Sequence, residues 1–145
     1  MFHERRFDES EQYLKEALSI LKKANQEQSL GYLYLLKRLA YVSFTNRKYA
    51  DAEKYFKVTV DMVPTITKNP VNIYNTRKNL LLLYTHSNIA KANEFGEFMM
   101  KDSDDYLPLN VKDLTFMMAN VSMLNGDHSK AKSMYRHILK QAPKP

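Results

Sequence analysis

Rings and positive charges recur in this sequence at a fixed offset. Tyr34, Lys37, Arg38 and Phe44 are matched 40 residues later by Tyr74, Arg77, Lys78 and Tyr84. A ladder of this kind suits an extended or helical peptide that carries acidic and apolar residues. Ammonium and guanidinium groups pair with carboxylates, and aromatic rings and arginines are the side chains that most often anchor an interface. Tyr34, Lys37, Arg38, Tyr41, Tyr74, Arg77, Lys78 and Tyr84 are therefore candidate partner-binding residues. The equivalent stretch further on holds Asp113, Phe116, Asn120 and Met123, so Phe116 and Asn120 complete the set at an apolar, neutral end. The competing reading is a solvated basic face with tyrosines packed between helices.

Catalysis has little to work with. His3, His86, His128 and His137 are scattered, and the last two are nine residues apart, which is neither metal spacing nor one helix face. With three glycines there is no loop to cradle a phosphate, and with no cysteine there is no thiol nucleophile, disulfide framework or Cys-type zinc site. Asp104 and Asp105 read as solvated loop residues. The expectation is a protein that is not an enzyme and uses no metal or cofactor.

Composition fits one domain. Apolar residues make up 44% of the 145 and charged residues 26%, ordinary values for a globular protein. No apolar run reaches 18 residues, so no transmembrane segment is expected. The stretch Met1–Glu9 has no apolar core for a signal peptide, and its acids speak against a transit peptide. An intracellular setting, cytoplasmic or mitochondrial, is expected. The net charge of +6 favours acidic partners: an acidic peptide, an anionic membrane surface or nucleic acid. No nucleic-acid motif accompanies it. Lys130, Lys132, Arg136, Lys140 and Lys144, set against Asp127 alone, form a basic outer face at the last helix.

Periodicity predicts seven helices and no sheet. The first spans 8–25, capped by Asp8 or Ser10, with Leu14, Ala17, Leu18 and Leu21 as its apolar stripe. A pair follows at 29–45 and 49–63, with Ser29 as cap and Pro64 as stop. Asn69-Pro70 opens a helix to about 86, and Ser87 or Asn88 caps its partner at 88–101. After a polar loop, Asn110 with Asp113 reads as a capping box for 110–125. Asn125-Gly126-Asp127 is a turn and cap, and the last helix runs over 128–141, with Ala131, Met134, Tyr135, Ile138 and Leu139 as its apolar stripe, to Pro143. Methionines 99, 100, 117, 118, 123 and 134 read as core filler rather than an adaptable binding surface.

Leu39-Ala40, Ser43, Tyr49, Ala52 and Phe56, closed by Pro64, resemble a unit of the tetratricopeptide repeat (TPR) family. Ala52, Ala92 and Ala131 fall in one register, 40 and 39 residues apart. The resemblance implies an all-α, right-handed helical solenoid of one domain over residues 1–145. It has a leading helix at 8–25 and repeats at about 29–64, 70–101 and 110–143. Gly96 stands where Phe56 and Tyr135 stand and no proline closes the pair, which leaves both a regular and a reshaped middle repeat open. The resemblance also implies a concave groove lined by the first helix of each pair, and a role as a protein-binding scaffold or adaptor. Some family members hold the C-terminal carboxylate of heat-shock chaperones. Lys37 fits that pattern, but Tyr41, Lys78, Asp113 and Met117 depart from it, so chaperone-tail binding is not expected. Residues 39–57 with their flanking helices are also similar to mitochondrial TPR proteins tied to respiratory complex III assembly. That likeness would imply an assembly factor. An alternative to the groove is a structural subunit that associates through its end helices, as a homo-oligomer or in a larger complex.

Overall fold

Helix ends set the architecture, because each leaves backbone groups that must find partners. The computed structural model describes residues 2–141, with side chains from residue 6 onward. Those residues form α1 (Phe2–Lys23), α2 (Leu30–Thr45), α3 (Tyr49–Ile66), α4 (Pro70–Ser87), α5 (Ile89–Lys101), α6 (Pro108–Leu124) and α7 (His128–Gln141). A single 3-10 turn at Ser103–Asp105 replaces part of the expected loop. The fold is all-α, and the expected stop at Pro143 and the base at Lys144 lie outside the described residues.

Three helices end in the same way. The amide of Gln26 reaches back to the Leu21 carbonyl (2.8 Å), that of Lys48 to Ser43 (2.8 Å), and that of Asp127 to Ser122 (2.9 Å). Each closure needs one left-handed residue: Asn25 (φ 58°), Arg47 (φ 62°) and Gly126 (φ 84°). Four starts, those of α2, α4, α5 and α7, are capped by side chains. The Ser29 hydroxyl accepts from the Tyr32 amide, Asn69 Oδ1 from Val71, Asn88 Oδ1 from Lys91, and Asp127 Oδ1 from Lys130.

Four sequence expectations are corrected. α1 begins well before Asp8 and Ser10, which lie inside it. α3 runs past Pro64 to Ile66. A proline in a last turn removes only one helical donor, and the end is closed by the Thr67 amide on Val63 O and by Lys68 Nζ on Pro64 O. Asn110 is not a cap. α6 starts two residues earlier at Pro108, whose fixed φ suits a first helical position. Asn110 Oδ1 is instead buried without a hydrogen-bond partner. Leu139, placed on the apolar stripe of α7, is 73% exposed.

Contacts divide the chain into two compact units, Met1–Leu83 and Tyr84–Pro145. In the first, α1 packs on α2 and α2 on α3. Its α2–α3 core joins Leu33 and Leu36 to Met62 and Val63, flanked by Leu18, Tyr32, Tyr55, Ile66 and Ile73. In the second, α5 packs on α6 and α6 on α7. Ala92, Met99, Leu114, Met118, Val121 and Ala131 are buried there. Burial of Met99 and Met118 agrees with the reading of methionine as core filler, whereas Met123 is exposed. The three register alanines, Ala52, Ala92 and Ala131, are each fully buried.

Helix α1 is fastened by charge as well as by its half-buried leucines. Glu11 is its buried residue, and Lys48 Nζ at the α2–α3 turn donates to Glu11 Oε2 (2.9 Å). Lys15 holds the other oxygen at 3.1 Å, and Asp8 stands 3.6 Å from Lys48. The hydrogen bond from Lys48 keeps the Glu11 carboxyl below its ordinary value of 4.5, against the opposing pull of burial. With the folded value below the unfolded one, this stabilisation is complete above about pH 4.5 and fades as pH falls through the folded value. Both lysines are largely solvated, which screens the pairs. Glu11→Gln is therefore expected to cost about 1–2 kcal/mol at neutral pH. Urea melts at pH 7 and pH 3 check this. The wild type should lose more stability on acidification than the variant, and equal losses would contradict the assignment.

Candidate partner-binding surface

Helix α2 divides into two stripes. Leu33, Leu36, Leu39, Ala40 and Ser43 are buried. On another side, Tyr34, Lys37, Arg38 and Tyr41 fall at i, i+3, i+4 and i+7. Leu30, one turn earlier, extends that row. Leu30, Tyr34 and Tyr41 are 68%, 60% and 64% exposed, unusual values for three large apolar side chains in line. The Arg38 guanidinium lies 5.9 Å from the Tyr34 ring centre, so cation and ring are already joined. Lys37 is half-buried. Burial lowers its pKa, and among the described residues it has no ion-pair partner.

The other candidates are placed differently. Arg77 and Lys78 are half-buried on α4 in the same unit, and each is already engaged with neighbouring groups. Tyr74 and Tyr84 are corrections. They are 0% and 5% exposed and cannot offer rings to a partner. The reason is local. Tyr74, Thr76, Leu80, Leu81, Leu83 and Tyr84 are all buried, so α4 is enclosed on more than one side, whereas α2 is buried on one. Tyr84 packs edge-on against Phe95 at 5.9 Å, with Lys91 5.7 Å from its ring centre.

In the second unit, Phe116 is 51% exposed and Asn120 is exposed, one turn apart on α6. Both lean on α7. Phe116 meets the Tyr135 ring edge-on at 6.0 Å, and the Tyr135 hydroxyl donates to Asn120 Oδ1. Leu30 was missed by sequence reasoning. Its position four residues before Tyr34 is the signal that would have found it. No group of three or more metal-ligating side chains occurs among the described residues, and no helix among them is long and apolar enough to cross a membrane.

No protein-family model matches the sequence, and comparison with curated proteins gives no match. Solved structures do match. One is a Podosopora anserina protein described as a putative kinesin light chain with nearly identical TPR-like repeats. It is 16% identical, with a TM-score of 0.80 over 92% of this chain and 66% of that one. A variant of that protein gives 0.78 over the same shares. BtubC (BKLC) from P. vanneervenii is 19% identical, with a TM-score of 0.77 over 97% of this chain and 61% of that one. The chain thus spans somewhat less than two thirds of these structures' lengths. These matches carry the repeat architecture and give no support to the likeness with complex III assembly proteins. Helix order, capping, buried alanine register and structural neighbours agree: the chain has the TPR-like, all-α helical-repeat fold.

Proposed function

We propose that this chain is a non-enzymatic, intracellular protein-interaction module that takes a peptide or helix on the outer stripe of α2. The observation that carries this reading is the row Leu30, Tyr34, Lys37, Arg38 and Tyr41. Apolar and aromatic side chains stand exposed there around two bases. A partner with a carboxylate between apolar residues suits it. The apolar residues would cover the rings, and the carboxylate would meet Arg38 and Lys37. It would also restore to Lys37 the stabilisation of its charged form that burial removes. Arg77 and Lys78 add positive potential from α4 of the same unit. Repeat proteins of this architecture present side chains on rigid helices, which lowers the entropy lost on binding.

Random-peptide display tests this reading. The wild type should enrich peptides that combine acidic and apolar residues. Lys37→Glu combined with Arg38→Glu should weaken the enriched peptides at least about tenfold, while circular dichroism shows unchanged helix content. Equal binding by both proteins would overturn the assignment of α2.

A second reading is association through the end helices. Tyr13 and Ile20, 70% and 68% exposed, lie two turns apart on α1, away from its half-buried leucines. Sedimentation equilibrium over a wide concentration range decides it. A rising mass that Tyr13→Ser and Ile20→Ser abolish supports it, and a constant monomer mass removes it.

A further inference from the structure

Helix α7 contains no acidic residue in its 14 positions, yet carries Lys130, Lys132, Arg136 and Lys140. Elsewhere the protein pairs several of its exposed lysines: Lys15 and Lys48 with Glu11, and Lys57 with Glu53. Within α7 only Lys130 follows that habit, bonding Glu97 of α5 at 3.0 Å. Among the described residues, Lys132, Arg136 and Lys140 have no ion pair. They sit at i, i+4 and i+8, so their backbones form one row about 12 Å long. Ala131, Met134, Tyr135 and Ile138 are more buried, and the basic row is exposed. Ser129, Lys132, Ser133, Arg136, His137 and Lys140 line an open depression of about 450 Å³.

We infer that this face of α7 is a second docking surface, distinct from α2, for an acidic segment of a protein partner. Three unneutralised cations along one helix repel one another, and a facing row of carboxylates relieves that repulsion. Hydroxyls at Ser129 and Ser133 add neutral donors beside them. The choice among polyanions follows from the rest of the face. Nucleic acid without sequence preference is gripped by rings on which bases stack; this face offers no Phe, Tyr or Trp, and its one imidazole, His137, is hydrogen-bonded to Gln141. The ring of Tyr135 is turned to Phe116 and Asn120. An anionic membrane would need several large apolar side chains to enter the lipid, and only Leu139 stands exposed along α7. One leucine beside a row of bases fits a peptide that sets an apolar residue among glutamates.

Fluorescence anisotropy on the full chain tests this inference. The probe is a labelled helical peptide with Glu at every fourth position and one central Leu. Saturable binding is expected, weakening as salt rises. Lys132→Glu combined with Arg136→Glu should reduce affinity at least about tenfold, and the same loss should appear on the Lys37→Glu, Arg38→Glu background, which removes any share of the probe bound at α2. These α7 positions are exposed, so helix content should be preserved. Four outcomes would overturn the inference. They are the absence of saturable binding, loss through the α2 variant alone, tighter binding to oligo-dT or phosphatidylserine vesicles, and self-association lost in the α7 variant. Failure here leaves the α2 reading standing, because each surface has its own variant.

Discussion

Tyr74→Ala is expected to destabilise the protein by about 3–5 kcal/mol, whereas Tyr34→Ala should change stability by less than about 0.5 kcal/mol. The two tyrosines stand 40 residues apart in matching positions of the sequence. Tyr74 is fully enclosed and is among the largest completely buried side chains, so truncation removes its contacts and leaves a cavity. Tyr34 is 60% exposed, and its loss is largely one of surface. Urea denaturation of both variants checks the contrast. For binding the order reverses: Tyr34→Ala should weaken a peptide held on α2 and leave the fold intact. Similar stability losses for both variants would mean that α4 is not enclosed as described.

Leucine at Ala52, Ala92 or Ala131 is the second large effect. Each position is 0% exposed, so a larger side chain can enter only by moving its neighbours. The expected loss is about 1–3 kcal/mol at each site. Ala50 and Ala90 lie in the first turns of the same two helices as Ala52 and Ala92 but are exposed. Leucine there should change stability by less than about 0.5 kcal/mol. Thermal melts of the five variants separate close helix approach from a general intolerance of leucine. A neutral result at the buried alanines would place the repeat register elsewhere.

Much of the fold was legible because its signals are local. Ser29, Asn88 and Asp127 cap helices by hydrogen bonds to amides three residues away, and the spacing alone shows them. The alanine register was legible because only a small side chain suits that close approach. Pro64 misled because the lost bond to the Val60 carbonyl costs α3 one link without stopping the turn, which carries on to Ile66 and closes through Thr67 and Lys68. Asn110 misled because a capping pattern competes with a proline two residues earlier, and Pro108 prevails. The candidate site was legible by half. Residue type and offset put Tyr34, Lys37, Arg38 and Tyr41 on a surface, but the same offset carried Tyr74 and Tyr84 into the core. The difference lies in burial: Leu80, Leu81, Leu83 and Tyr84 are enclosed, and α4 keeps for solvent a narrow stripe of Asn72, Asn75, Leu82 and His86. Leu139 shows the converse. A helical stripe fixes which side a residue takes, and the breadth of the neighbouring helix decides whether it is covered.

The packed helix pairs, α1 with α2, α2 with α3, α5 with α6 and α6 with α7, are all neighbours along the chain. Closing such contacts requires only short loops, so little chain entropy is lost before packing begins. Folding should accordingly be fast for a protein of this length, and either unit can start it. On a ribosome, α1 and α2 can meet before α5 has been synthesised. The exposed row on α2 would then take shape while the second half of the chain is still emerging.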